Sequence, residues 1–168
     1  MTDFNTNLSA LLVRELNAFS RELDLLPDDE SAWKTAPGIT NSVGNLAMHV
    51  AGNLQHFVGT VLGGTAYVRN REAEFSRSSG PRTDIKAELE AAVRVIEKIL
   101  PTISPETLAK PYPYSPVPGK EFSTALFLQH LASHAAFHLG QAGYLRRALT
   151  GDVRSSGPVS LAELPTAS

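Results

Sequence analysis

Four long helices in one domain, an all-α fold, are what this sequence predicts, and three observations carry that expectation. Apolar residues recur at every third or fourth position over four separate stretches, the period of a helix with a buried face. No stretch of useful length alternates apolar and polar residues as a half-buried strand would. The 168 residues are 42% hydrophobic and 19% charged, which suits a single packed core and not a disordered chain.

The first helix runs from about Asp3 to Leu26. Leu8, Leu11, Leu12, Leu16, Phe19, Leu23 and Leu26 keep helical spacing until Pro27 and the acidic run Asp28-Asp29-Glu30 end it. The loop SAWKTAPGIT follows, with Trp33 as a core anchor and a Pro-Gly turn at 37–38. The second helix starts after an N-cap at Thr40 or Asn41 and reaches about Leu62, with Gly63-Gly64 as its stop. Gly44, Gly52 and Gly59 inside it let neighbouring helices come close.

A long polar crossover leads to Arg82. Its arginines, Arg69, Arg71, Arg77 and Arg82, read as solvated charges or, alternatively, as a draw for an anionic cosubstrate. The third helix is capped by Thr83 or Asp84 and runs to Leu100 before Pro101. Ile85, Leu89, Val93, Ile96 and Leu100 alternate there with charged residues, the pattern of a half-exposed helix. The loop PYPYSPVPGK, with Tyr112 and Tyr114 as packing residues, precedes the fourth helix, which spans about Ser123 to Leu149 and stops at Gly151. Residues 1–152 thus make up the domain, and 153–168, rich in Ser, Pro and Gly, a loose tail.

Charge is distributed unevenly. The first and third helices have charged faces, whereas residues 41–68 and 122–145 contain no Asp, Glu, Lys or Arg. Helices without a charged face are buried on more than one side, so the second and fourth should adjoin each other and contribute to a homodimer interface. Asn, Gln, His and Ser interrupt both stretches, which argues against a membrane span. The net charge of -2 gives nucleic acid no electrostatic purchase. With no cysteine, a disulfide scaffold, a thiolate metal site and a Cys nucleophile are excluded. The opening MTDFNTNLSALLVREL lacks the basic start and small-residue cleavage site of a signal peptide, so a cytoplasmic protein is expected.

All five histidines fall in the two uncharged helices: His49 and His56 on the second, His130, His134 and His138 on the fourth. Residues four apart share a helix face, so His130, His134 and His138 form one stripe, continued by Gln141. Asn45, His49, Asn53 and His56 form a second polar stripe. Polar stripes on helices that cannot face water most simply face each other. A His pair at i, i+4 supplies two ligands of a mononuclear site, and a histidine from the adjacent helix completes it, leaving positions open for water or substrate. His134 and His138 are the expected pair. His130 is either a ligand, a group orienting one from behind, or a buried imidazole. Gln141, Asn45, Asn53 and His56 could orient ligands or simply satisfy the backbone.

The run HLASHAAFHLGQ, residues 130–141, resembles the signature of the DinB-like family, which includes YfiT-type metal-dependent hydrolases and bacillithiol or mycothiol transferases. NSVGNLAMHVAG supplies His49 where that family carries a further histidine, and AWKTAPG resembles its Trp-containing approach to the second helix. The likeness runs from about Asp3 to Leu149. It implies an up-down-down-up four-helix bundle, frequent homodimers, and one divalent ion, Ni, Zn or similar, on His49, His134 and His138. Leu139 stands where the family often has Arg, so no role of that Arg transfers.

No HExxH, Glu-x-x-His, Gly-x-Ser-x-Gly, Walker A or dinucleotide motif is present, which sets aside zincin, di-iron, serine-hydrolase and nucleotide chemistries. The expected function is a metal-dependent enzyme that transfers a low-molecular-weight thiol to an electrophilic small molecule, a chemistry suited to a site without carboxylates. The alternatives are a metal-dependent hydrolase and a non-catalytic metal-binding or stress protein, the last with four protein ligands closing the sphere.

Overall fold

The structure, a computed structural model, describes residues 4–115 and 117–166. The expected start of the first helix at Asp3 and the end of the expected tail, 167–168, lie outside the described residues. Six α-helices occur among them: α1 (Phe4–Asp24), α2 (Val43–Leu54), α3 (Arg71–Ser76), α4 (Arg82–Ile99), α5 (Pro105–Ala109) and α6 (Thr124–Thr150). α2 continues without a break as a wider, π-helical stretch over Gln55–Leu62, so the second long helix ends where its sequence pattern does. The all-α expectation holds. α1 and α2 each pack against both α4 and α6. Leu12, Leu16, Phe19 and Leu23 of α1 share one buried core with Ile85, Leu89 and Ile96 of α4 and Leu128 and Leu131 of α6.

Local details shift two expected helix starts. The cap of α2 is Ser42, not Thr40 or Asn41. Its hydroxyl accepts the Asn45 N–H at 3.1 Å while Asn45 Oδ1 accepts the Ser42 N–H at 3.1 Å, a reciprocal box that Asn at N3 completes. α4 starts at Arg82 behind extended Pro81 without a side-chain cap, so Thr83 and Asp84 lie inside it. Arg82 itself ties this end to α1, donating to the Leu23 and Leu26 carbonyls at 2.9 and 2.6 Å. α6 runs from its Ser123 cap to Gly151, whose φ of +68° gives the left-handed stop that glycine tolerates best. The crossover between α2 and α4 is not all loop, because α3 forms in the middle of it.

α2 is buried along nearly its whole length, as its lack of charge requires. α6 packs on α1 and α2 and leaves Leu126, Phe137 and Tyr144 exposed. Trp33 is buried, with its indole N–H on the Gly80 carbonyl at 2.8 Å. Tyr112 stacks on Phe127 at 4.0 Å between centroids and donates its hydroxyl to the Phe57 carbonyl in the π-helical stretch, so it packs the loop as expected. No helix among the described residues is long and apolar enough to cross a membrane.

The most deeply buried ion pair among the described residues links two helices of the bundle. Arg146 of α6, fully buried, donates to the Glu22 carboxylate of α1, and Gly143 leaves the room this needs: a Cβ there would sit 2.9 Å from Glu22 Oε1. Arg146 also donates to the carbonyls of Asp152 and Arg154 at 2.9 and 2.5 Å, and Arg21 donates to the Ser156 carbonyl at 2.6 Å. The segment expected to hang loose is thereby drawn against α1 and α6, and Ser156 is buried. Removing one member of such a pair leaves the other charge stranded. Glu22→Ala should therefore cost about 3–5 kcal/mol of stability in urea denaturation, whereas Lys86→Ala, at the exposed contact with Asp24, should be close to neutral.

Candidate metal centre

His49 projects from α2 and His134 and His138 from successive turns of α6, so the packing of α2 on α6 brings the two polar stripes together. His134 Nε2 lies 3.2 Å from His49 Nε2 and 3.1 Å from His138 Nε2. The candidate ligand atoms of all three residues fall within 4.8 Å of one another. The rings meet edge to face, His49 with centroids 5.1 Å from each of the other two and His134 4.4 Å from His138.

The far nitrogens decide which atoms face inward. His49 Nδ1 is 2.9 Å from Glu74 Oε2, and His138 Nδ1 is 2.8 Å from Gln141 Oε1. Arg69 Nη2 also lies 3.2 Å from His49 Nδ1, but it already donates to Glu74 Oε2 at 2.8 Å, so the carboxylate behind His49 and the amide oxygen behind His138 are both satisfied when each ring carries its proton on Nδ1 and turns an Nε2 lone pair toward His134. A single proton on His134 Nε2 satisfies one of those lone pairs and leaves the other without a donor. A cation would satisfy all three, and the two short spacings suit one. Metal–nitrogen bonds of about 2.0–2.1 Å put neighbouring ligand nitrogens about 2.9 Å apart in an octahedral sphere and about 3.4 Å apart in a tetrahedral one. The observed 3.1–3.2 Å lies between these limits.

Electrostatics keep His134 and His138 neutral. Burial, reinforced by His138 and His49, lowers the His134 imidazolium to about 3. Burial likewise lowers His138, with His49 adding to it and the Gln141 hydrogen bond opposing. His134 and His138 therefore meet a cation as free bases at neutral pH.

Glu74 corrects the expectation of a site without carboxylates. It comes from α3, is buried, and takes a forked pair of bonds from Arg69, Nε to Oε1 at 2.7 Å and Nη2 to Oε2 at 2.8 Å. Burial pushes its carboxyl up, but the Arg69 and His49 hydrogen bonds outweigh this and hold it below the usual value. Two signals for it stood in the sequence. Asn70 caps the short helix by accepting the Ala73 N–H at 3.0 Å, and Gly52 leaves a gap in α2 that the carboxylate fills. Phe75 of the same helix packs its ring 4.7 Å from His49. The crossover arginines form no shared cluster: Arg69 pairs with Glu74, Arg77 with Asp84 and Arg82 with Asp29, while Arg71 lies over Phe75.

The other candidates separate. Gln141 holds His138. Asn45 completes the cap of α2 and donates to the carbonyls of Glu74 and Arg77 at 3.0 and 2.8 Å, which ties α3 to α2. Asn53 is buried, and no hydrogen-bond partner faces its Oδ1. His130 is exposed with its ring 6.0 Å from His134, and half-buried His56 packs on Phe57. Neither joins the three-atom cluster among the described residues. A groove of about 480 Å³, lined by Ile39, Leu46, Gln141, Tyr144 and Leu145 among others, opens beside Gln141.

The profile of the DinB superfamily matches residues 11–142. Two solved structures share the fold. A conserved protein from Enterococcus faecalis is 20% identical with a TM-score of 0.73, covering 90% of this chain and 100% of its own. The DinB-like protein YjoA from Bacillus subtilis is 16% identical with a TM-score of 0.63, covering 88% of this chain and 94% of its own. No curated protein matches.

The geometry makes a stoichiometric prediction. After loading with Zn or Ni and dialysis, elemental analysis should find one ion per chain in the wild type and none in His134→Ala or His49→Ala. His56→Ala and His130→Ala should keep the full equivalent.

Proposed function

This chain belongs to the DinB superfamily, and from that premise we propose that it is a metal-dependent enzyme transferring a low-molecular-weight thiol to an electrophilic small molecule. One divalent ion, Ni, Zn or similar, would be held by His49, His134 and His138. The observation that carries this reading is the convergence of these three residues' ligand atoms, with no fourth His, Asp or Glu joining them among the described residues. A stapling site closes its coordination sphere with four protein ligands, whereas three leave room for an exogenous group. His134 and His138 are only half-buried, so that room is reachable from solvent.

When bound, such an ion supplies Lewis acidity that lowers the pKa of a thiol or of water. The chain's own contribution is to keep the centre hungry for an anion. Imidazole binds a metal as an uncharged ligand, and the nearby Glu74 carboxylate is already paired with Arg69, so the ligand set would cancel none of the ion's charge. Gln141 holds His138 from behind, on the side of the ring away from the three-nitrogen cluster. The exposed, uncharged face of α6, with Leu126, Phe137 and Tyr144, supports a homodimer, and we place the protein in the cytoplasm.

The hydrolase reading uses the same platform with water in place of thiol. It is favoured by His130, an exposed imidazole whose ring centroid lies 6.0 Å from that of His134.

Assaying consumption of a panel of low-molecular-weight thiols with an aryl halide or epoxide distinguishes the two. Turnover should require divalent metal, and chelation or His134→Ala should reduce it to background. Absence of turnover with every thiol, together with metal-dependent hydrolysis of a model ester, would reverse the order.

A further inference from the structure

Glu74 is restrained far more tightly than a surface-loop carboxylate needs to be. Arg69 grips both its oxygens, at 2.7 and 2.8 Å. Its own backbone carbonyl accepts from the Asn45 side chain at 3.0 Å, fastening α3 to the first turn of α2. Gly52 provides its socket: a Cβ at that position would lie 2.4 Å from Oε1 and 3.1 Å from Cδ. Three separate devices thus fix one carboxylate, and the remaining bond it makes is to His49 Nδ1.

We infer that Glu74, clamped by Arg69 and seated over Gly52, is the positioning residue that sets the tautomer of His49, so that Nε2 is its metal-facing lone pair. A neutral imidazole carries its proton on either nitrogen, and the wrong choice turns an N–H toward the cation site. Arg69 Nη2 also approaches Nδ1, at 3.2 Å, but it already donates to Oε2 at 2.8 Å, so the closer, acceptor-only carboxylate at 2.9 Å removes that choice before any ion arrives. It also distinguishes the ligands from one another. His49 is backed by an anion and His138 by the neutral amide of Gln141, so His49 is the stronger donor of the two. A purely structural Arg69–Glu74 pair would be satisfied without His49, since Arg69 alone already reaches both oxygens. The consequence for affinity rests on the three-histidine reading above, but the tautomer does not.

Nitrogen-15 NMR of the metal-free full-length protein reads the tautomer directly, and chelator competition with Zn reads the affinity. In the wild type, His49 should be protonated on Nδ1. In Glu74→Gln, whose amide can turn its NH2 toward the ring, and in Gly52→Ala, which displaces the carboxylate without altering any polar group, Nε2–H should become populated. Zn affinity should fall about 10–100-fold in both. Circular dichroism confirms that the variants are folded, and if Glu74→Gln fails to fold, Gly52→Ala and the wild-type tautomer decide. A wild-type His49 protonated on Nε2, or wild-type tautomer and affinity in a folded variant, overturns the inference. Failure of the wild type to take up Zn while His49 is protonated on Nδ1 would instead overturn only the metal reading.

Discussion

Two imidazole lone pairs, each aimed by a hydrogen bond on the far side of its ring, point at a third imidazole between α2 and α6. Lone pairs crowded together without donors are costly, and a protein tolerates such a cluster only if something else stabilises it. Much of the architecture follows from that constraint. The two helices that carry the rings have no ionic side chains on the stretches involved, so nothing competes for the space with a charge of its own. The charged residues that do approach, Glu74 and Arg69, come as a pair from outside the four long helices and largely neutralise each other.

The sequence made the outline legible because the outline is periodic. Four stretches at helical spacing produced four long helices, and histidines at i and i+4 on the charge-free part of one helix had to meet the polar stripe of the other. His134 and His138 could be named from that reasoning alone. The choice of His49 over His56 rested on family resemblance. The structure makes the same choice: His49 joins the three-atom cluster, whereas His56, two turns along, packs on Phe57.

What stayed hidden was aperiodic. α3 has six residues, too short for an apolar repeat to show, and its Glu74 reaches His49 from twenty-five positions along the chain. Helix starts were misplaced for a related reason. Thr40, Asn41 and Ser42 are all good capping residues, and what selects Ser42 is the reciprocal partner at Asn45, a relation among side chains rather than a preference of one. The Glu22–Arg146 pair was equally unreadable. Nothing local in either helix says that these two charges will be buried against each other, and the clue lies in Gly143, the gap beside them.

That pair has a practical side. Arg146 has its guanidinium divided between a carboxylate on α1 and two carbonyl oxygens that lie beyond the last helix, at 152 and 154. The chain after Gly151 therefore works as a plug on the far side of a buried cation. A shortened gene ending at the last residue of α6 would keep every histidine and all six α-helices, yet it would remove the carbonyls that cover Arg146. Boundaries chosen for expression, fusion or crystallisation are better drawn after Ser156 than at the end of α6.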